Sequence, residues 1–367
     1  MAEPPLASSL VPSASHGAST LSAAAETFAN PVCHRGADPW VLRWQDAYYY
    51  CRSARGCIRL SRSERLQEIG QDQGQVVWSP PPGTAFSRHL WAPELHHLDG
   101  RFYVYLAADD GRNHTHRVYV LEGHGSDPLR PFALKGRVAD PQDRWAIDAT
   151  VLAMDGDRRY LVWSGWPADR DGAQCLYIAP LANPWTIAGR RVCLSSPELP
   201  WETGSRPRVN EGPTVLRSPR GRFFLVYSAG GSWTDDYCLG LLSLVGDDPM
   251  QPACWRKHPQ PVFARSSQVF GPGHACFVKS PDGTEDWLVY HAARRRGGGW
   301  NRDIRMQRFS WGEDGSPRFG VPVAPGARLA VPAGSAARAG AGAGRPVPAG
   351  ARLPPLVPVA AGRGLLE

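Results

Sequence analysis

The sequence predicts an all-β protein, a five-bladed β-propeller, on three observations. Five segments of similar text recur at intervals of 56, 54, 63 and 63 residues. Each runs from a polar residue through a β-rich strand and a turn into a second strand rich in aromatics. None contains a convincing long helix. Units of this size cannot bury their faces alone, and equal units of about four short strands stacked around an axis form a propeller.

The segments follow one another in order. The first begins at Asp38 (DPWVLRWQDAYYYC) and the second at Glu94 (ELHHLDGRFYVYLAA). The third begins at Asp148 (DATVLAMDGDRRYLVWSG), the fourth at Glu211 (EGPTVLRSPRGRFFLVYSAG) and the fifth at His274 (HACFVKSPDGTEDWLVYHAA). Asp99-Gly100, Asp155-Gly156 and Asp282-Gly283 separate apolar runs and predict hairpin turns. Further strands are expected at Arg117–Leu121 and Cys175–Ile178. The propeller is expected over residues 29–323. Residues 1–28, rich in Ala, Ser and Pro, and 324–367, rich in Ala, Gly, Pro and Arg, lack apolar periodicity and read as disordered tails.

Composition narrows the function classes. The 367 residues carry a net charge of +7, of which −2 lies in residues 1–30 and +4 in residues 321–367. The +5 that remains is spread too thinly for a phosphate-binding surface, so no nucleic-acid partner is expected. The run Arg294–Arg296 precedes three glycines and reads as a solvated loop. No apolar run approaches the roughly 20 residues of a membrane span, so no membrane partner is expected. The eight cysteines contain no C-x-x-C pair, which leaves zinc and dithiol chemistry without support. No basic stretch followed by an apolar one marks a signal peptide near the N-terminus.

In a propeller the innermost strands run in one direction around a channel, so equivalent blade positions meet at one end of it. Asp38, Glu94, Asp148, Glu211 and His274 open the five segments, and the reading gathers them in one ring. A single Asp before a strand is ordinarily a turn former. Five ionisable groups at matching positions are not, because clustered carboxylates raise one another's pKa. Such a cluster suits chemistry that needs one protonated and one ionised carboxyl group, as cleavage of a glycosidic bond does.

Ala37-Asp38-Pro39, Trp91-Ala92-Pro93-Glu94, Ile147-Asp148-Ala149-Thr150, Asn210-Glu211-Gly212-Pro213 and Gly271-Pro272-Gly273-His274 together resemble glycoside hydrolase family 43. The resemblance runs from about Asn30 to Val323 in order and spacing. It implies a five-bladed propeller and inversion at the anomeric carbon. Asp38 then matches the general base, Glu211 the general acid, and Asp148 the group that orients the acid and tunes its pKa. His116–Glu122, Ala182–Ile187 and Pro200–Thr203 are similar to exo-acting α-1,5-L-arabinofuranosidases of that family. The implied substrate is arabinan or an arabino-oligosaccharide, which would place the protein outside the cell. β-Xylosidase, endo-arabinanase and non-catalytic carbohydrate-binding readings stand as alternatives. The last gives no reason for both Asp38 and Glu211 to be present. A fructan-acting relative would open on Asn-Asp-Pro-Asn-Gly, where this chain has Gly36-Ala37-Asp38-Pro39-Trp40.

Around this core, Trp91 is a candidate for stacking on a sugar face, and Trp166 and Trp233, on loops after the aromatic strands of blades three and four, are candidates for the substrate-binding pocket rim. Arg305 matches an arginine that contacts sugar in the family, and Glu94 is expected to make hydroxyl or water contacts. His274 is expected on the channel axis, where relatives hold calcium or another ion through water. No cofactor is required for the expected reaction.

Overall fold

The computed structural model describes Met1 and residues 26–335, and the sequence-based expectation of disordered tails falls mostly outside them. Five antiparallel sheets follow one another along the chain. Blade one comprises Trp40–Trp44, Ala47–Ala54, Cys57–Ser63 and Gln75–Trp78, hydrogen-bonded in chain order. Blades two to five begin with the innermost strands Arg88–Leu98, Ala146–Ala153, Asn210–Arg217 and Phe270–Lys279. Blade three has an extra short strand, because Thr186–Ile187 and Val192–Ser195 both pair with Cys175–Asn183. Helical segments among the described residues are single 3-10 turns. The protein is a five-bladed β-propeller.

The aromatic-rich second strands explain why the blades stack. Alternate residues point to opposite faces of a strand. In Arg101–Asp109, Phe102, Val104 and Leu106 pack toward blade one, while Tyr103 and Tyr105 pack toward blade three. In Phe223–Ala229, Phe223, Leu225 and Tyr227 face blade three, and Phe224 and Val226 face blade five. Each full burial of such a side chain contributes about 1.5–3 kcal/mol. The core is thus five inter-blade layers, and the last closes the ring by packing Val41, Tyr48 and Tyr50 against Val289, Ile304 and Met306.

Hydrogen bonds across the seam reinforce that closure. The Asn30 side-chain amide donates through Nδ2 to the Met306 carbonyl at 2.8 Å and its Oδ1 accepts the Met306 N–H at 2.9 Å. Thr27–Ala29 pairs with Arg328–Ala330. Both short strands include residues assigned to tails from sequence, so the folded part reaches beyond 29–323 at each end. Asp99 and Gly100 form the expected two-residue turn, both with positive φ, between the paired residues Leu98 and Arg101.

One irregularity positions the site. The innermost strands of blades two to five carry a bulge near their start, with a residue of positive φ inside it: Ala92, Asp148, Gly212 and His274. Asp38 has the same conformation just ahead of the first strand. A bulge bends the strand and re-aims side chains at its mouth. It also corrects the equivalence read from sequence. Asp38, Asp148 and His274 share one position, Glu211 stands one residue before it, and Glu94 stands two residues after it.

Candidate active site

A cavity of about 560 Å³ opens at this end of the channel. Asp38, Asp148, Glu211 and His274 line it together with Arg302 and a set of tryptophans. The expected ring therefore forms, apart from Glu94. That carboxylate is buried outside the cavity lining and pairs with His96 at 2.8 Å. Its later position on the strand carries it down the channel, so the expectation of substrate contact is corrected.

Asp38 is held by three basic groups. His291 Nδ1 lies 3.2 Å, His274 Nδ1 3.3 Å and Arg302 Nη1 3.4 Å from Asp38 Oδ1. The His291 nitrogen also accepts the Asp38 backbone N–H at 3.1 Å. Burial pushes the carboxyl up, but His274, His291 and Arg302 together outweigh it and hold Asp38 well below the usual carboxylate range. Both imidazoles are pushed down by burial, His291 to about 3. Arg302 is therefore the permanent charge of the clamp.

Glu211 lies in the opposite regime. Burial pushes its carboxyl up to about 7, against a hydrogen bond that Tyr237 donates to Oε1 at 2.8 Å. Asp148 is also pushed well up, first by burial and then by the charges of Glu211 and Asp38. Its Oδ2 accepts the backbone N–H of Gly212 at 2.9 Å and so grips the residue that follows Glu211. Near neutral pH the cavity thus presents an ionised Asp38 beside carboxyl groups that retain protons. That pairing can supply a proton to one atom while taking one from another.

Aromatic walls surround these groups. Trp91 is 39% exposed and stacks on His116 at 4.0 Å, so it is a wall of the cavity and not blade packing. Trp166, expected on the rim, is 2% exposed and stacks on Trp145 at 4.6 Å; its indole N–H lacks a hydrogen-bond partner. Trp233 meets Trp300 edge-on at 6.2 Å. Trp300, 69% exposed, also lines the cavity.

Arg305 is a second correction. It is buried away from the cavity and donates to the Val323 carbonyl at 2.7 Å. Three positions apart on the strand Arg302–Trp311, Arg302 and Arg305 fall on opposite faces, and Arg302 is the one that reaches Asp38. Sequence reasoning also missed His291, on the second strand of blade five, and Tyr237, the residue just ahead of the third strand of blade four, neither of which carries a motif, and Trp145 and Trp300. His274 lines the cavity beside the Asp38 carboxylate, and among the described residues no group of three or more His, Cys, Asp or Glu side chains could hold a metal ion by direct ligation.

A five-bladed propeller whose mouth pairs an ionised aspartate with a proton-retaining glutamate has the architecture and acid–base groups of a glycosidase. A sequence model of glycosyl hydrolases family 43 matches residues 28–317. The chain belongs to that family. It is 39% identical over 315 residues to the extracellular exo-alpha-(1->5)-L-arabinofuranosidase of Streptomyces avermitilis, covering 82% of this chain and 64% of the relative. It is also 39% identical over 317 residues to alpha-L-arabinofuranosidase 43 of Humicola insolens, covering 82% and 65%. This chain therefore spans just under two thirds of the length of both. The crystal structure of an alpha-L-arabinofuranosidase from Lactobacillus brevis superposes with a TM-score of 0.75 at 34% identity, covering 81% of this chain and 98% of that one.

Proposed function

We propose that the protein hydrolyses terminal α-L-arabinofuranosyl linkages of arabinan or arabino-oligosaccharides with inversion, acting from the chain end. The observation that carries this is the pairing in one cavity of ionised Asp38 with proton-bearing Glu211. In a chain similar to exo-acting arabinofuranosidases, that pair fits the two roles that glycosidic cleavage needs.

In this reading Glu211 protonates the leaving oxygen as the glycosidic bond breaks. Asp38 takes a proton from the water that attacks the anomeric carbon from the other face. Asp148 keeps the acid in register by gripping the Gly212 N–H. The exposed tryptophan walls, Trp91 and Trp300, take the apolar faces of the sugar. The reaction needs no cofactor. Attack at the chain end requires one side of the cavity to be closed, and residues 201–208 and 294–302, from which Pro207 and Trp300 line the cavity, are the segments that would close it. A location outside the cell follows from the substrate and accords with relatives named extracellular.

Linear arabinan distinguishes the modes of attack. End-directed hydrolysis releases one small sugar from the first minutes with a slow fall in viscosity. A rapid viscosity loss with long mixed oligomers would show an open, endo-acting cleft and overturn the proposal.

A further inference from the structure

Tyr237 is fully buried between the two catalytic carboxylates' surroundings. Its hydroxyl donates to Glu211 Oε1 at 2.8 Å. Its ring stacks on His291, with centroids 5.6 Å apart and planes 10° apart, and His291 in turn lies 3.2 Å from Asp38 Oδ1. We propose that Tyr237 is a positioning residue that fixes the proton-donating geometry of Glu211 and ties it mechanically to the Asp38 side of the cavity. The inference rests on Glu211 being the acid, as proposed above.

The local sequence is built around this ring. A Cβ on Gly273 would lie 2.3 Å from Tyr237 Cε1, so the position tolerates no side chain while the ring stays in place. Gly271 has positive φ, and a Cβ there would lie 2.7 Å from the Thr234 carbonyl, three residues before the tyrosine. Both glycines of Gly271-Pro272-Gly273-His274 thus make room for the segment that carries Tyr237. The motif has a steric role beyond delivering His274 to the mouth. Burial also pushes the phenol well above its ordinary value, so the hydroxyl remains a donor throughout the working pH range.

The consequence for catalysis has a definite sign. A hydrogen bond donated to the ionised carboxylate favours that form and lowers the pKa of Glu211. Without it the acid holds its proton to higher pH but loses its fixed aim. Tyr237→Phe should move the alkaline limb of kcat/KM upward by about one pH unit. The kcat on arabinan should fall by about tenfold with little change in KM, as expected for an interaction that matters in the transition state. Site-specific replacement of Tyr237 by 3-fluorotyrosine keeps the shape and strengthens the donor, so the limb should move downward, and this variant serves if Tyr237→Phe does not fold.

The pH profiles are measured beside Glu211→Gln. Opposite limb shifts in the two tyrosine variants, with the limb lost in Glu211→Gln, are the expected result. If Glu211→Gln loses the limb but neither tyrosine variant moves it, the positioning role is wrong and the acid assignment survives. If Glu211→Gln retains arabinan cleavage and its limb, both assignments fall.

Discussion

Replacing Glu211 by Gln separates proton donation from every other feature of the cavity, because the amide keeps nearly the same shape. With its carboxyl at about 7, Glu211 is protonated in about nine molecules of ten at pH 6. At its ordinary 4.5 the fraction would be about 0.03, so burial enriches the proton-loaded form about 30-fold. A positioned general acid contributes about 10²–10⁴ in rate. Glu211→Gln should therefore lower kcat/KM on arabinan by that factor, since a sugar alkoxide leaves poorly without a proton. On a nitrophenyl arabinofuranoside, whose phenolate leaves unaided, the loss should stay below about tenfold. Asp38→Asn removes the base that both substrates need and should cripple both alike. Steady-state kinetics of the two variants on the two substrates provide the check. Equal loss on both substrates in Glu211→Gln, or an active Asp38→Asn, would refute the division of roles.

Asp148→Asn exchanges a carboxyl group that still holds its proton when Glu211 titrates for a neutral amide, so the alkaline limb should stay near its wild-type position while activity falls without vanishing, as pH-rate profiles would show. Arg302→Met removes the permanent positive charge beside Asp38; the acidic limb should rise in pH-rate profiles and folding stability should fall in denaturant titration. Glu211→Gln should also change the pH dependence of melting. The folded-state value of about 7 lies above the ordinary 4.5, so wild-type stability declines as pH rises between them. The variant lacks that cost, which reaches about 3 kcal/mol above pH 7 and is absent below pH 4.5. Thermal scans at pH 4 and pH 8 should show the variant gaining on the wild type only at the higher pH.

The blade repeat was legible because aromatic second strands are buried on both faces and leave a dense, recurring signature, as in Phe102–Leu106 and Phe223–Tyr227. The three carboxylates of the cavity were legible because each opens an innermost strand. Their alignment was not, since the residue of positive φ inside each bulge sets the register and its identity varies among Ala92, Asp148, Gly212 and His274. Glu94 was placed in the ring for that reason. The tight turn Arg55-Gly56, with both φ values positive, carries no Asn or Asp signal and passed unnoticed. Arg302 was hidden behind Arg305 because only the strand's two-residue period tells which of them faces Asp38. Tyr237 and His291 reach the carboxylates by polar contacts and stack on each other between blades, which local sequence does not encode. Their one trace is the pair of glycines at 271 and 273 that leaves space for a neighbouring ring.

The central claim, that Asp38 activates water while Glu211 protonates the leaving group, is tested most directly by the stereochemistry of the first product. Direct displacement by water requires the two carboxyl groups to flank the bond at roughly 6.5–9.5 Å, and it inverts the anomeric carbon. Proton NMR of an α-L-arabinofuranoside digest, recorded before mutarotation, should show β-L-arabinofuranose appearing first and the α form growing in later. First appearance of the α anomer, or a covalent glycosyl-enzyme trapped at Asp38, would contradict the account.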